Sequence, residues 1–306
     1  MSDLKLFRVH DGTAAEITGS SMALERSLQT LIERNMGTLF GVRFLASEYS
    51  TGPIHGGRMD SLGIDENGSP VIFEYKRATN ENVVNQGLFY LDWLVDHRAD
   101  FTLLVMKVLG QQASEEIDWR NPRLVCVANG FTKYDEHAVK QMNRAIDLVR
   151  YRDFDGDLLA LELLTSTKVE SQSAADAPSP ASARPTKAQK TVSELLAQAP
   201  EALADLYDSV DVFCSALGDD VSKKTLKYYF AYRRLQNFAC VEVHPQSGEV
   251  LMYLKLDPNR HELVEGFIRD VSSIGHFGTG DLEIRLRSQE DFARVQELIT
   301  AAYEAN

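Results

Sequence analysis

GGRMDSLGIDENGSPVIFEYKRATNENVVNQGLFY, residues 56–90, is the stretch on which the fold turns. RMDSLGID (58–65) and VIFEYKR (71–77) read as two strands of a hairpin. Between them, Glu66-Asn67-Gly68 suits a three-residue loop of the glycine-bulge type, with Gly68 left-handed. That loop makes Asp65 face Ser69, and counting outward sets Asp60 opposite Glu74. Directly opposed residues have Cβ atoms about 4.5–5.5 Å apart on one face. A two-residue Asn67-Gly68 turn would instead pair Asp60 with Tyr75 and separate the acids. Side chains alternate along a strand, so Glu74 and Lys76 share one face while Phe73 and Tyr75 share the other.

Two carboxylates this close repel each other when both are ionised and nothing compensates. A divalent cation and an ammonium are the natural compensations, and Lys76 supplies the second. Two acids with an open water position match magnesium, which takes one or two carboxylates plus substrate phosphate oxygens. Such a metal would polarise a phosphodiester and lower the pKa of a bound water. Lys76 would orient that water or stabilise developing charge.

Asp60, followed after the hairpin by Glu74-Tyr75-Lys76, resembles the signature of the PD-(D/E)xK nuclease superfamily. Glu25, on the preceding helix, resembles the acid those nucleases often carry on their first helix. Gln86-Gly87-Leu88-Phe89-Tyr90 is similar to the QxxxY helix of RecB-type members, and i, i+4 spacing puts Gln86 and Tyr90 on one helix face. The order helix, hairpin, helix, strand over about residues 20–130 is most similar to NucS-type endonucleases; Met59 stands where proline often precedes the first acid. The resemblance implies an α/β fold, a restriction-endonuclease-like mixed sheet flanked by helices. It also implies Mg2+ (or Mn2+) as cofactor and DNA as partner, with single-stranded, branched and duplex forms all open. By the same resemblance Asp60, Glu74 and the Tyr75 carbonyl would hold metal, and Glu25 a second metal or its water. Lys76 would position the attacking water, and Gln86 and Tyr90 would orient the lysine or the substrate backbone. A homodimer would supply the two sites needed to cut both strands of a duplex. Beside the hydrolase reading stand a nuclease-fold protein that binds nucleic acid without cutting it, and a scaffold that binds a protein or small ligand.

Working outward, residues 4–18 read as a hairpin. Ser20 and Ser21 precede an amphipathic helix in which Leu24, Leu28, Leu31 and Ile32 recur at helical spacing. A helix is expected over about 80–97, with FTLLVMKVL (101–109) continuing it or packing beside it. RLVCVANGF (123–131) reads as a buried strand, HAVKQMNRA (137–145) as a helix, and 146–154 and 158–165 as closing strands. Residues 166–190, rich in Ala, Ser and Pro, read as a flexible linker between a nuclease-like domain (1–165) and a smaller α+β domain (191–306). In the latter, helix is expected over 193–217, strands at LKYYFAYRR (226–234), 238–245 and 249–256, helix at HELVEGFIRDV (261–271), then strand 281–287 and a last helix. This domain resembles an uncharacterised bacterial domain that accompanies such nucleases, a likeness that carries no mechanism.

Charge narrows the partners. Residues 1–165 hold 17 Lys and Arg against 24 Asp and Glu, a net of −7, and residues 191–306 hold 11 against 19, a net of −8. Neither is a non-specific nucleic-acid coat, so any such partner needs a local basic groove. Arg58, Arg77 and His55 flank the acids, where they could contact phosphates, although loop charges are ordinarily just solvated. KKTLKYYFAYRR (223–234) reads as a strand with an aromatic face in the core rather than a stacking surface, and glycine-rich GHFGTGD (275–281) as a turn. Three scattered cysteines, Cys126, Cys214 and Cys240, offer neither a disulfide framework nor a zinc motif. No apolar run is long enough for a membrane span and no secretory pattern opens the chain, which points to the cytoplasm.

Overall fold

The computed structural model describes residues 4–22, 24–77, 82–167 and 190–306. They form two compact units, one on each side of the segment 168–189. The linker expected at 166–190 therefore lies, apart from its ends, outside the described residues. Its first residues belong to the first unit: Ser166 closes a strand and the Thr167 amide donates to the Ile146 carbonyl at 3.0 Å.

In the first unit, β1 (Leu6–His10) and β2 (Thr13–Ile17) make the expected hairpin, and β3 (Gly19–Ser20) is a short edge strand. Helix α1 (Glu25–Phe40) buries Leu28, Ile32, Met36 and Phe40 at helical spacing. Its start differs from the serine cap expected at Ser20 and Ser21. Ser20 pairs with Asp153 in the sheet, and the cap position is Leu24, whose side chain makes no capping bond. Strand β4 (Val42–Ser50) follows, then one helical turn, α2 (Gly52–His55), then β5 (Arg58–Asp65) and β6 (Pro70–Lys76). Helices α3 (Val83–Asp96), α4 (Arg98–Leu109) and α5 (Gln111–Glu115) lead to β7 (Arg123–Ala128). Helix α6 (Lys133–Lys140) starts before the expected 137, because Thr132 and Asp135 form a reciprocal capping box. Strands β8 (Ala145–Phe154) and β9 (Leu158–Ser166) close the unit.

The sheet runs β3-β8-β7-β6-β5-β4, with β9 also on β8. β6 and β7, and β7 and β8, are parallel, while the outer pairs are antiparallel. Parallel neighbours need a crossover, which α3–α5 and α6 provide. This is the mixed α/β sheet flanked by helices that the sequence implied. β6 and β7 are buried along nearly their whole length, as central strands covered on both faces must be. Helix α3 packs closely on β7: a methyl at Gly87 would lie 2.4 Å from Leu124 Cδ1, so the adjoining Gln86 is carried near the sheet by a glycine that cannot be enlarged cheaply.

The second unit is α+β. Helices α7 (Val192–Ala197) and α8 (Glu201–Ala216) precede β10 (Ser222–Thr225), β11 (Phe230–Arg233), β12 (Asn237–His244) and β13 (Glu249–Leu254). Then come β14 (Ile268–Asp270), β15 (Leu282–Leu286) and α9 (Gln289–Ala305). The antiparallel order is β10-β11-β12-β13-β15-β14. Two expectations fail here. The strand at 226–234 is a hairpin instead, with Leu226 N donating to Tyr229 O at 2.9 Å, and Phe230 and Tyr232 turned into the core. The helix at 261–271 does not form: Gly266 takes φ +75° and Ile268 pairs with Ile284 at the sheet edge. All three cysteines are free and buried. Among the described residues, no helix is long and apolar enough to cross a membrane.

Candidate active site

The β5–β6 loop sets the site. Gly68 sits at φ +78°, Asp65 N donates to Ser69 O at 2.9 Å, and Gly68 N donates to Asp65 O at 3.0 Å. The Asp65 carboxylate also accepts from the amides of Asn67 (2.9 Å) and Ser69 (2.8 Å). The resulting ladder pairs Ile64 with Pro70, Gly63 with Val71, Leu62 with Ile72 and Ser61 with Phe73. Its next rung is Asp60 against Glu74. There side chains take over the main-chain donors: Asp60 N donates to Glu74 Oε1 at 3.3 Å, and Tyr75 N donates to Asp60 Oδ2 at 2.9 Å. The glycine-bulge register is the one that brings the two acids together.

Glu74 lies deeper than Asp60, which is half-buried. Glu74 is wholly buried, and its Oε2 has no hydrogen-bond partner. Burial, reinforced by the nearby Asp60 charge, pushes the Glu74 pKa up to about 9. Burial likewise lifts Asp60 to about 6. Burial pulls on Lys76 in the opposite direction but is outweighed by Glu25, Asp60 and Glu74, so its ammonium is held above its ordinary range. Lys76 Nζ donates to Glu25 Oε1 at 3.4 Å, and Glu25 Oε2 accepts from Arg77 N at 3.2 Å. Glu25 opens α1, so the helix delivers an acid to the end of β6.

A buried, unpartnered carboxylate oxygen beside a second carboxylate fits a hard divalent cation. Among the described residues no group of three or more His, Cys, Asp or Glu is placed to hold one. The remaining ligands would have to be main chain, water or substrate oxygens, which magnesium accepts.

Glu74 also carries a stability consequence. An acid whose folded pKa is raised costs nothing below its unfolded value of 4.5; the cost grows as pH rises and is complete above about 9. At pH 7 that is on the order of 3 kcal/mol. Glu74→Gln is therefore expected to raise the melting temperature at pH 7–8 in EDTA and to flatten its pH dependence. A Gln variant that melts below the wild type in EDTA at pH 8 would contradict this.

Gln86 and Tyr90 lie at the start of β5. Gln86 donates to the Tyr90 hydroxyl at 3.4 Å, and that hydroxyl accepts from Arg58 N at 3.1 Å. The pair thus supports the strand that carries Asp60, while the lysine bonds to Glu25. Both line an open cleft of about 750 Å³ with Ser50, Gly56, Gly57 and Arg58. Tyr75 directs its side chain to the opposite face, stacked on Phe73 at 6.3 Å.

Two polar residues of α1 behind Asp60, Gln29 and Glu33, escaped the sequence reading. Buried Gln29 donates through Nε2 to the Asp60 carbonyl at 2.8 Å and lies within 3.2 Å of Ser47 Oγ and Glu48 Oε1. Glu33 accepts from Ser61 Oγ at 2.6 Å and from Gln29 at 3.0 Å. The available signal was the spacing of Glu25, Gln29 and Glu33, three polar residues on one ridge of α1.

Comparisons with known proteins touch both the second unit by itself and the chain as a whole. Residues 192–306 match a family model described as a domain of unknown function, DUF5655. An uncharacterized protein of Haemophilus influenzae (strain ATCC 51907 / DSM 11121 / KW20 / Rd) is 26% identical over 311 residues, covering 98% of this chain and 99% of that protein. Among solved structures, a repair endonuclease from Pyrococcus abyssi aligns at 20% identity and TM-score 0.28, over 44% of this chain and 50% of that one. An EndoMS–dsDNA complex aligns at 21% identity and TM-score 0.25, over 47% and 49%. The chain spans about half the length of the solved structures it matches.

Proposed function

We propose that the first unit is a metal-dependent nuclease that hydrolyses phosphodiester bonds in DNA, and that the second unit targets or regulates it. The observation that carries this reading is the Asp60–Glu74 pair, with Glu74 Oε2 buried and unpartnered, beside an ammonium anchored by Glu25. The order of helix, hairpin, helices and strand supports a PD-(D/E)xK assignment.

Asp60 and Glu74 would hold Mg2+ or Mn2+, together with the Tyr75 carbonyl. When bound, the cation would supply Lewis acidity toward the phosphate and lower the pKa of a bound water. The chain's own groups do the rest. Lys76 stays protonated, so it orients a water through an N–H donor and stabilises negative charge growing on the phosphate oxygens. Glu25 anchors that ammonium and the Arg77 amide, and the lone pairs that remain on its oxygens would hold a second cation or its water. Tyr90 and Gln86 fix the Arg58 main chain and so the approach to Asp60. The second unit has a core of its own, which suits an accessory role.

The test is incubation of the purified chain with single-stranded, branched and duplex DNA in Mg2+ and in Mn2+, with Lys76→Ala as comparator. Cleavage by the wild type alone supports the reading. Salt-sensitive binding with no cleavage in either metal would leave a nucleic-acid-binding protein on a nuclease scaffold.

A further inference from the structure

β4 runs antiparallel to β5, with Ser47 paired to Ser61 and Tyr49 to Met59, so Glu48 stands across from Asp60. Glu48 takes φ +53°. Of the non-glycine residues with positive φ among those described, Asp11 and Asp155 sit in turns, and Glu48 alone lies within a strand. A left-handed glutamate in a strand is sterically costly, and such outliers cluster at functional sites.

The conformation delivers one carboxylate to two cations. Glu48 Oε2 meets Arg58 Nε at 2.5 Å, and Glu48 Oε1 meets Arg26 Nη1 at 3.1 Å, with buried Gln29 also donating to Oε1 at 3.2 Å. Arg26 comes from α1 and Arg58 from β5, the strand that carries Asp60 two residues on. Their side chains remain 69% and 66% exposed. A guanidinium has five N–H donors, so each arginine keeps donors for a second acceptor. Arg58 lines the cleft with Gln86 and Tyr90, while Arg26 lines an open groove of about 360 Å³ along α1 with Ser27, Thr30 and Arg34.

As plain surface ion pairs these contacts would contribute little, too little to offset a left-handed backbone and two immobilised long side chains. A ligand would account for the arrangement. The first domain's sequence carries a net charge of −7 and the site is built of acids, so a polyanion reaching it meets repulsion unless a local cationic grip offsets it. Two guanidiniums converging on one carboxylate present a second, outward-facing fork that matches phosphate oxygens.

We propose that Arg26 and Arg58 form a clamp for a backbone phosphate of a nucleic-acid strand beside the acid pair, with Glu48 as the positioning residue. The identity of the strand rests on the nuclease reading, but the clamp is measurable without cleavage. The experiment is fluorescence anisotropy of a fluorescein-labelled DNA duplex and of its single strand, in EDTA, over a series of NaCl concentrations. Arg26→Ala and Arg58→Ala are each expected to weaken binding about tenfold. Each should also make the slope of log affinity against log salt shallower by about 0.7–0.9. Arg58→Lys should keep the slope while losing affinity, since a lysine cannot make the fork. Arg26→Gln and Arg58→Gln, which keep the stem packing, guard against a folding defect and should match the alanine variants. Unchanged slope and affinity in the arginine variants, or a wild type that binds neither probe, would overturn the clamp. Cleavage measured separately tells the two readings apart: a chain that binds through these arginines but cuts nothing keeps the clamp and loses the nuclease.

Discussion

Lys76→Ala is expected to cut metal-dependent DNA cleavage by about 10²–10³-fold or more, the usual loss when one preorganised donor to developing charge is removed. The side chain is only 13% exposed and its ammonium faces Glu25 at 3.4 Å. Glu25, Asp60 and Glu74 together hold its pKa above the ordinary value despite burial. A lysine so held is a fixed positive charge rather than a proton acceptor at neutral pH, and alanine removes that charge outright. Folding should survive, because Glu25 is 38% exposed and can be solvated once its partner is gone. Asp60→Ala should abolish cleavage as well. Single-turnover cleavage beside a thermal melt checks both variants. Undiminished cleavage in either well-folded variant removes the assignment.

Arg123→Ala is expected to destabilise the first unit by about 3–5 kcal/mol, the range seen when one partner of a buried ion pair is lost. Arg123 opens β7 and is 4% exposed. It donates through Nη1 to Asp65 Oδ2 at 3.1 Å and through Nη2 to Asp147 Oδ2 at 2.8 Å. Asp147 Oδ1 in turn accepts from Ser166 Oγ at 2.6 Å. Both carboxylates are buried, so removing the guanidinium strands two charges without their cation. The same triad ties the Asp65–Ser69 loop, which sets the Asp60–Glu74 register, to β7, β8 and β9. Urea unfolding should show the loss, and Arg123→Lys should recover part of it. A shift below about 1 kcal/mol, the scale of an exposed pair, would mean that the triad is solvated.

What the sequence exposed and what it hid follow from how local each signal is. The Glu66-Asn67-Gly68 loop was legible because a glycine in the left-handed region is a local requirement, and the Asp60–Glu74 pairing followed by counting. Helix α1 was legible in part of its apolar stripe, Leu28 and Ile32, whereas Leu24 is exposed and Leu31 half-buried; its first residue was not legible, since Ser20 is claimed by β8, far along the chain. Strand β4 went unread because its alternation breaks at a register shift between Phe44 and Ala46 and at left-handed Glu48. Leu263, Val264, Phe267 and Ile268 imitate helical spacing, yet Ile268 is drawn into the sheet by Ile284. The network of Arg26, Gln29, Glu33, Glu48 and Arg58 shows in the sequence only as the Gln29–Glu33 spacing on α1; the meeting of α1, β4 and β5 makes it a unit. Arg123 was hidden for the same reason, being one polar residue at the head of an apolar strand.

The central claim is that Asp60 and Glu74 hold a divalent cation beside Lys76, and anomalous diffraction from crystals soaked in Mn2+ tests it most directly. The expected result is a peak bonded to an oxygen of each carboxylate, absent from crystals of Glu74→Gln. Saturating Mn2+ that leaves no anomalous density between these two side chains would contradict it.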